Sequence, residues 1–232
     1  MKRCIVTYAA GAHEELLDVA IPTYKVFAQR HGYDLINGTQ QTELPAAWNK
    51  IPLLTDALKS YDEVIWFDCD LVVVDPREDF PPLPDDKLHS LARHFENNSE
   101  VPNSGVWRLK RTSVDMFALD LLKRIMYLEV FTNHGWWEQA ALMTLMGYTV
   151  PPEGSHFPDT RCKNVYHTRW YNVCHFMRLC WNSHPNYRAE KPRIVHCSYP
   201  DMQIRLEVMR ALVKNPNFDY PRYDVTVKSD KK

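Results

Sequence analysis

A chain of 232 residues is long enough for one well-packed domain and short for two. Its hydrophobic fraction of 45% and charged fraction of 25% are those of an ordinary globular protein, which excludes a disordered tail. Its formal net charge of −1 provides no basic field for nucleic acid or for an anionic membrane surface. No run approaches the roughly 18 apolar residues of a membrane span, and the apolar start breaks at residues 11–15. We therefore expect no secretory signal, no membrane span and a cytoplasmic protein.

Strand and helix patterns alternate over the first seventy residues. Apolar runs predict strands at 4–9, 34–37 and 64–67, and helical apolar spacing predicts helices at 14–30 and 48–60. Gly32 is placed to cap the first of these helices. This order predicts an α/β sandwich with a parallel sheet, in which ligands bind beyond the carboxyl ends of the strands.

The later elements are less regular. A stretch at 77–86, rich in proline and acidic residues, predicts a loop. Beyond it the patterns predict strands at 88–94, 104–109 and 194–195, and helices from Thr112 or Ser113 to Tyr127, at 136–146 and at 202–213. The segment 150–193, rich in aromatic residues, His, Asn and Pro, is predicted to be irregular.

The six cysteines lack the Cys-x-x-Cys spacing of a zinc site and are too few to form the framework of a small scaffold. Free thiols in a reducing compartment are the preferred interpretation. An irregularly spaced zinc site is the alternative, with the ligands Cys162, Cys174, His175 and Cys180.

Asp68 and Asp70 carry the strongest chemical signal in the sequence. As alternate residues of an extended segment they project to one side, and two close carboxylates repel unless a cation or a proton joins them. Oxygen ligands at an open strand end suit Mg²⁺ or Mn²⁺, which keep positions for phosphate oxygens. Because apolar runs flank the pair on both sides, a solvated loop explains it poorly, and a metal or phosphate site is predicted.

An aspartate-nucleophile phosphatase is a second interpretation of the same pair. Residues 67–72 fit the Asp-x-Asp-x-Thr/Val motif of those enzymes. In that class, however, the motif normally lies on the first strand, whereas two strand–helix units precede it here. The sequence also lacks the later Gly-Asp-x-x-x-Asp pair of that class.

The surrounding residues resemble GT-A glycosyltransferases. Residues 48–54 and 61–70 are similar to the region before their Asp-x-Asp motif, and residues 30–34 to a His-Gly-Tyr segment. The likeness is to the galactosyl-, mannosyl- and xylosyltransferase family of fungi and plants, in short blocks from residue 4 to about 210. It implies one GT-A domain over residues 1–228 with a mixed, mostly parallel sheet flanked by helices. A nucleotide-sugar-binding half (1–110), an acceptor-side half (111–228) and a frayed tail (229–232) would follow.

The resemblance also implies roles for individual residues. Asp68 and Asp70 would hold Mn²⁺ or Mg²⁺ against the donor diphosphate, with Asp68 also near the ribose. The triplet Asn103-Ser104-Gly105 resembles a strand entry along the donor sugar, although alone it would predict a turn. Glu138 and Gln139 resemble a catalytic pair beneath the anomeric carbon, although such a pair is normally a solvated helix face.

His196 follows the strand predicted at 194–195, where retaining GT-A enzymes often place a third metal ligand. A lone buried histidine is more often structural, and His156, His167 and His175 compete for the role. Other donor contacts are predicted at Lys50, for a phosphate or the sugar, and at Thr7, Tyr8 and Ala9, for the nucleoside base.

The implied reaction moves a hexose or pentose from a nucleotide-diphosphate sugar to a glycan or other hydroxyl acceptor. A UDP-sugar is favoured and a GDP-sugar is possible, with retention of configuration; an inverting enzyme would need Glu138 or Asp159 as general base. The acceptor is expected at 151–193. The segment 151–193 contains the aromatic residues Trp170, Tyr171, Trp181 and Tyr187, whose faces suit sugar rings, with Arg161, Arg169 and Arg178 interspersed.

A third interpretation of the sequence is a non-catalytic sugar-binding protein. The oligomeric state is not predicted.

Overall fold

A computed structural model describes residues 1–96, 99–112, 117–150 and 162–222. Its strands are Arg3–Thr7 (β1), Asp34–Asn37 (β2), Glu63–Phe67 (β3), Leu71–Val73 (β4), His89–Glu96 (β5), Ser99–Lys110 (β6), Cys174–Met177 (β7) and Ile194–His196 (β8). Its α-helices are Glu14–His31 (α1), Lys50–Leu58 (α2), Phe117–Met126 (α3), Trp137–Leu145 (α4), Arg169–Asn172 (α5) and Met202–Lys214 (α6).

Six of these strands form one sheet in the order β2-β1-β3-β6-β5-β7. Parallel pairs join β1 to β2, β1 to β3 and β5 to β7, whereas β6 runs antiparallel to both β3 and β5. The two remaining strands, β4 and β8, pair antiparallel in a separate small sheet. The predicted mixed, mostly parallel sheet flanked by helices is confirmed.

The sheet has a hydrophobic core on each face, because alternate strand residues point to opposite sides. Ile5 and Ile65 pack on one face with residues of α1 and α6. Val64 and Trp66 pack on the other face with residues of α2, α3 and α4. All five residues of β3 are buried, as expected of an inner strand covered on both faces.

The end of α1 is fixed by its last turn. Gly32 has φ +70°, in the left-handed region that glycine adopts without steric cost, and its N–H donates to the carbonyl of Ala28. The predicted glycine cap is confirmed, and it turns the chain directly into β2.

The prediction that residues 150–193 are irregular was wrong for part of that segment. Residues 169–172 form α5, and β7 extends the sheet by pairing in parallel with β5. A strand of four residues has too short a pattern to be recognised alone, and its hydrogen bonds to β5 decide its structure. Residues 151–161 lie outside the described part of the chain, as do Ser113 and the predicted tail.

The cysteines are free thiols, as preferred from the sequence. Within the described ranges, the alternative ligands Cys162, Cys174, His175 and Cys180 do not come together as a possible metal group. None of the helices described combines the length and apolar character needed to cross a bilayer.

We expect the free energy of unfolding to fall as the pH is lowered from about 6.5 towards 4, partly through His89. Burial lowers the pKa of His89 to about 4, although the hydrogen bond to the Trp170 carbonyl raises it in part. The His89 Nε2 donates to that carbonyl at 2.9 Å, and its Nδ1 accepts from the Trp107 indole at 3.3 Å. Between about pH 6.5 and 4 this histidine is protonated in the unfolded state and neutral in the folded state. The free energy of unfolding therefore falls by an amount on the order of 3 kcal/mol over this range.

Urea unfolding of wild type and His89→Gln across this range measures the effect. Glutamine offers one donor and one acceptor without titrating, so the variant should start less stable at pH 8 and lose less stability on acidification. Parallel pH curves for the two proteins would contradict the assignment to His89.

Candidate functional site

The strand pairings bring Asp68, Asp70 and His196 together at the carboxyl end of β3. Asp68 directly follows β3, and Asp70 directly precedes β4. In the β4–β8 pair Leu71 lies opposite His196, and the N–H of Cys197 donates to the Asp70 carbonyl at 2.9 Å. An aspartate pair and a histidine far apart in sequence therefore become neighbours through the backbone.

One ligand atom from each of these three side chains lies within 4.8 Å of the other two. The Nε2 atom of His196 is 3.3 Å from Asp70 Oδ1 and 3.8 Å from Asp68 Oδ2. Among the residues that the structure describes, this is the one such group. Two carboxylate oxygens and one imidazole nitrogen are a donor set that fits Mn²⁺ or Mg²⁺.

The other oxygen of each carboxylate is held by a neighbouring side chain. Asp68 Oδ1 accepts from the Trp66 indole at 2.5 Å and lies 3.1 Å from Lys50 Nζ. Asp70 Oδ2 accepts from Arg205 at 3.1 Å. Each carboxylate is thus anchored through one oxygen and presents the second towards His196, which pre-organises the group for a cation.

Arg205 is a part of this site that the sequence analysis missed. Burial raises the pKa of Asp70, but His196 and Arg205 together lower it by more, so the pKa lies below its usual range. Burial lowers the pKa of His196, but Asp70 and Asp68 together raise it above its usual value. A single arginine on a helix indicates a solvated face in the sequence, and only the packing of α6 brings it to Asp70.

Lys50 connects the carboxylate of Asp68 with that of Glu138. Its side chain is only 4% exposed, and its Nζ lies 2.6 Å from Glu138 Oε1 and 3.1 Å from Ser104 Oγ. Burial lowers the pKa of Lys50, but Asp68 and Glu138 raise it above the usual value. Lys50 is therefore a buried cation between two carboxylates.

Glu138 and Gln139, in the first turn of α4, both contact Ser104 of β6. The Ser104 hydroxyl donates to Glu138 Oε1 at 3.1 Å, and the Ser104 N–H donates to Gln139 Oε1 at 3.0 Å. Burial raises the pKa of Glu138; Lys50 lowers it and Asp68 raises it, and the net direction is upward. Glu138 is therefore buried and Gln139 half-buried beside Ser104, so the predicted pair is not a solvated helix face.

Gly105 lies against both Asp68 and His196. Its carbonyl accepts from the Asp68 N–H at 2.9 Å, and its own N–H donates to Asn103 Oδ1 at 2.9 Å. A Cβ at this position would lie 2.5 Å from Cε1 of His196, which is closer than packed atoms come. The close approach of the imidazole therefore requires glycine here.

The other predicted residues either contribute no ligand to this group or lie outside the described chain. Thr7 is buried at the end of β1, and its hydroxyl has no hydrogen-bond partner among the described residues. Tyr8 and Ala9 follow it and are half-buried. His167 stacks on Tyr171 with ring centroids 4.1 Å apart, away from the metal group. No structure is described for His156, Asp159 and Arg161.

Comparisons with known proteins identify the fold. No protein-family model and no curated protein sequence matches the chain. A glycosyltransferase involved in the glycosylation of the major capsid of PBCV-1 matches with a TM-score of 0.66 and 14% identity, covering 91% of this chain and 100% of that one. The galactosyltransferase LgtC, in complex with donor and acceptor sugar analogues, matches with a TM-score of 0.53 and 11% identity over 90% and 95%. The bifunctional glycosyltransferase WbbM matches with a TM-score of 0.54 and 11% identity over 92% and 50%.

This chain has the GT-A fold. At identities of 11% and 14% these matches establish the architecture and leave the reaction open. The galactosyl-, mannosyl- and xylosyltransferase family of fungi and plants, suggested by the sequence blocks, stays a prediction. In the GT-A chain the Asp68, Asp70 and His196 group lies where the inner strand β3 ends, the edge at which open α/β sheets bind ligands.

We expect Gly105→Ala to weaken divalent-cation binding about tenfold or more, because the added Cβ must displace the His196 imidazole. Electron paramagnetic resonance of free Mn²⁺ during titration measures this. Gly135→Ala is a matched control, since a Cβ there meets nothing within 4 Å. Equal Mn²⁺ affinity in Gly105→Ala and wild type would show that His196 is not a ligand.

Proposed function

We propose that this protein is a metal-dependent glycosyltransferase that moves a sugar from a nucleotide-diphosphate donor to a hydroxyl acceptor. The observation that carries the proposal is the convergence of Asp68, Asp70 and His196 at the ligand-binding edge of a GT-A sheet. Lys50 and Glu138 form a buried ion pair directly beside this group. Sugar transfer uses both charge stabilisation and a positioned polar pair, which a simple sugar-binding protein does not need.

Asp68, Asp70 and His196 would hold Mn²⁺ or Mg²⁺. The cation supplies Lewis-acid stabilisation of the charge that develops on the diphosphate leaving group. Asp68 and Asp70 fit this task because each has one anchored oxygen and one that faces His196. Asp68 is partly exposed, with 27% of its side chain accessible, so donor oxygens have an approach to the group.

For the donor we favour a UDP-sugar, with a GDP-sugar as the second choice, bound along the carboxyl ends of β1 and β3. Thr7, Tyr8 and Ala9 would contact the nucleoside base, and the unpartnered Thr7 hydroxyl supports a polar ligand there. Asn103, Ser104 and Gly105 would lie along the sugar. Lys50 acts on the donor indirectly, by fixing Asp68 and Glu138, because its ammonium is already surrounded by their oxygens.

We propose that the reaction retains configuration and that Gln139 lies beneath the anomeric carbon. An inverting mechanism needs a carboxylate free to take the acceptor proton. Glu138 is 3% exposed, paired with Lys50 and hydrogen-bonded by Ser104, which favours a positioning role. Gln139 is neutral and half-buried, and its amide oxygen is oriented by the Ser104 N–H.

The acceptor, a glycan or another hydroxyl compound, would bind on the half of the domain that follows residue 110. Trp170 and Trp181 are 5% and 3% exposed, so these two rings belong to the core and do not offer faces to a sugar. Tyr171 and Tyr187 are half-buried and keep some accessible surface. The transferred sugar would be a hexose or a pentose.

A thermal-shift and turnover screen of UDP, GDP and their sugars, with and without Mn²⁺, tests the proposal. We expect stabilisation by one nucleotide only when Mn²⁺ is present, and metal-dependent hydrolysis or transfer of its sugar. Asp70→Asn should lower turnover about 100-fold or more, because several kcal/mol of charge stabilisation are lost. Asp56→Asn, which removes an exposed carboxylate paired with Lys59, should behave as wild type.

The results of two further assays would overturn the proposal. Phosphate release from simple esters with trapping of Asp68 by fluoroberyllate would indicate an aspartate-nucleophile phosphatase. Glycan binding that a chelator does not change, together with no thermal shift from any nucleotide, would indicate a sugar-binding protein.

The stereochemistry is read from the anomeric proton of the product by nuclear magnetic resonance. We expect an α-configured donor to give an α-linked product, because no free carboxylate is available in the Glu138–Lys50 pair to activate an acceptor from the opposite face. A β-linked product would show inversion and would require a different general base.

A further inference from the structure

Asn182 lies fully buried between the proposed metal group and the proposed donor strand, and no sequence motif points to it. Its Nδ2 donates to Asn103 Oδ1 at 2.7 Å, and its Oδ1 lies 3.1 Å from Nδ1 of His196. Its backbone carbonyl lies 3.0 Å from Nε2 of His94. One side chain therefore touches both the third metal ligand and the donor strand.

The proton positions in this chain of contacts follow from one backbone group. The N–H of Gly105 can only donate, so the oxygen of the Asn103 amide must face it. That oxygen can only accept, so Asn182 must turn its NH₂ towards Asn103 and its own oxygen towards His196. His196 must then carry a proton on Nδ1 in order to donate to Asn182.

We propose that Asn182 is a positioning residue that keeps a proton on Nδ1 of His196, so that the ring binds a cation as the neutral tautomer protonated on Nδ1. In that tautomer the lone pair is on Nε2, the nitrogen that faces Asp68 and Asp70. A hydrogen bond to the outer nitrogen of a ligating histidine fixes both the ring orientation and the tautomer. This inference rests on the proposed metal-dependent function and adds a residue that acts through His196.

The same amide also ties the metal group to the donor strand. Asn103 Oδ1 accepts from both Asn182 and Gly105, so any tilt of Asn182 disturbs the backbone that carries Ser104. Asn182 is 0% exposed, which leaves no water to replace either partner. The buried side chain of Asn182 thus connects His196, the proposed metal ligand, with Asn103, a proposed donor-sugar contact.

Titration of Mn²⁺ into the protein, followed by electron paramagnetic resonance, compares wild type, Asn182→Ala and Asn182→Asp. We expect a dissociation constant about 10- to 100-fold higher for Asn182→Ala, because the imidazole loses its acceptor. Asn182→Asp keeps an oxygen for His196 Nδ1 but loses the donor to Asn103 Oδ1, so its dissociation constant should lie between those of wild type and Asn182→Ala. Asn164→Ala removes an amide that donates to the Met146 carbonyl instead, and should leave Mn²⁺ affinity unchanged.

The results separate this inference from the proposed function. If wild type binds no Mn²⁺, the proposed metal site itself is wrong and this inference falls with it. If wild type binds Mn²⁺ and Asn182→Ala binds it equally well, the positioning role is wrong while the metal site stands. Equal weakening in Asn182→Ala and Asn182→Asp, beside an unaffected Asn164→Ala, would also overturn the role, since the retained acceptor would have no effect.

Discussion

Two carboxylates fixed at the end of a buried strand set the constraint on which this site depends. Asp70 is 6% exposed and Asp68 is partly covered, so their mutual repulsion is poorly screened by water. Each carboxylate has a cationic partner, Arg205 for Asp70 and Lys50 for Asp68, and His196 also contacts Asp70. Removing Arg205 or Lys50 takes a cationic partner from a carboxylate that water screens poorly, which is costly.

Backbone pairing sets the geometry within which these charges meet. The β3–β6 pair continues into the hydrogen bond from the Asp68 N–H to Gly105, and the β4–β8 pair places His196 opposite Leu71. The side-chain rotamers then set only the final separations between the charged groups. A site held by two strand pairings is more precise than one held by loops alone, because ladder hydrogen bonds fix the Cα positions.

The local elements and the aspartate pair could be predicted from sequence, whereas long-range partners could not. Apolar runs and one glycine suffice to place β2, β3 and the end of α1, since periodicity and caps are local signals. The strand β7, by contrast, exists because β5 offers it hydrogen bonds. Arg205 and Asn182 are equally difficult to predict from sequence, because an arginine on a helix and an asparagine in a loop acquire their contacts only through tertiary packing.

The position of Lys50 changes the chemistry inferred from the sequence. A lysine near a donor site suggests a phosphate contact, yet this ammonium lies among oxygens of Asp68, Glu138 and Ser104. Reaching a phosphate would require the Lys50 ammonium to leave the buried carboxylate of Glu138 and the partly exposed carboxylate of Asp68, at a cost that one new contact does not offset. Lys50 instead keeps Glu138 engaged and unavailable as a base. Under the proposed function, Gln139, oriented by the Ser104 N–H, would be the member of the pair that faces the reacting sugar.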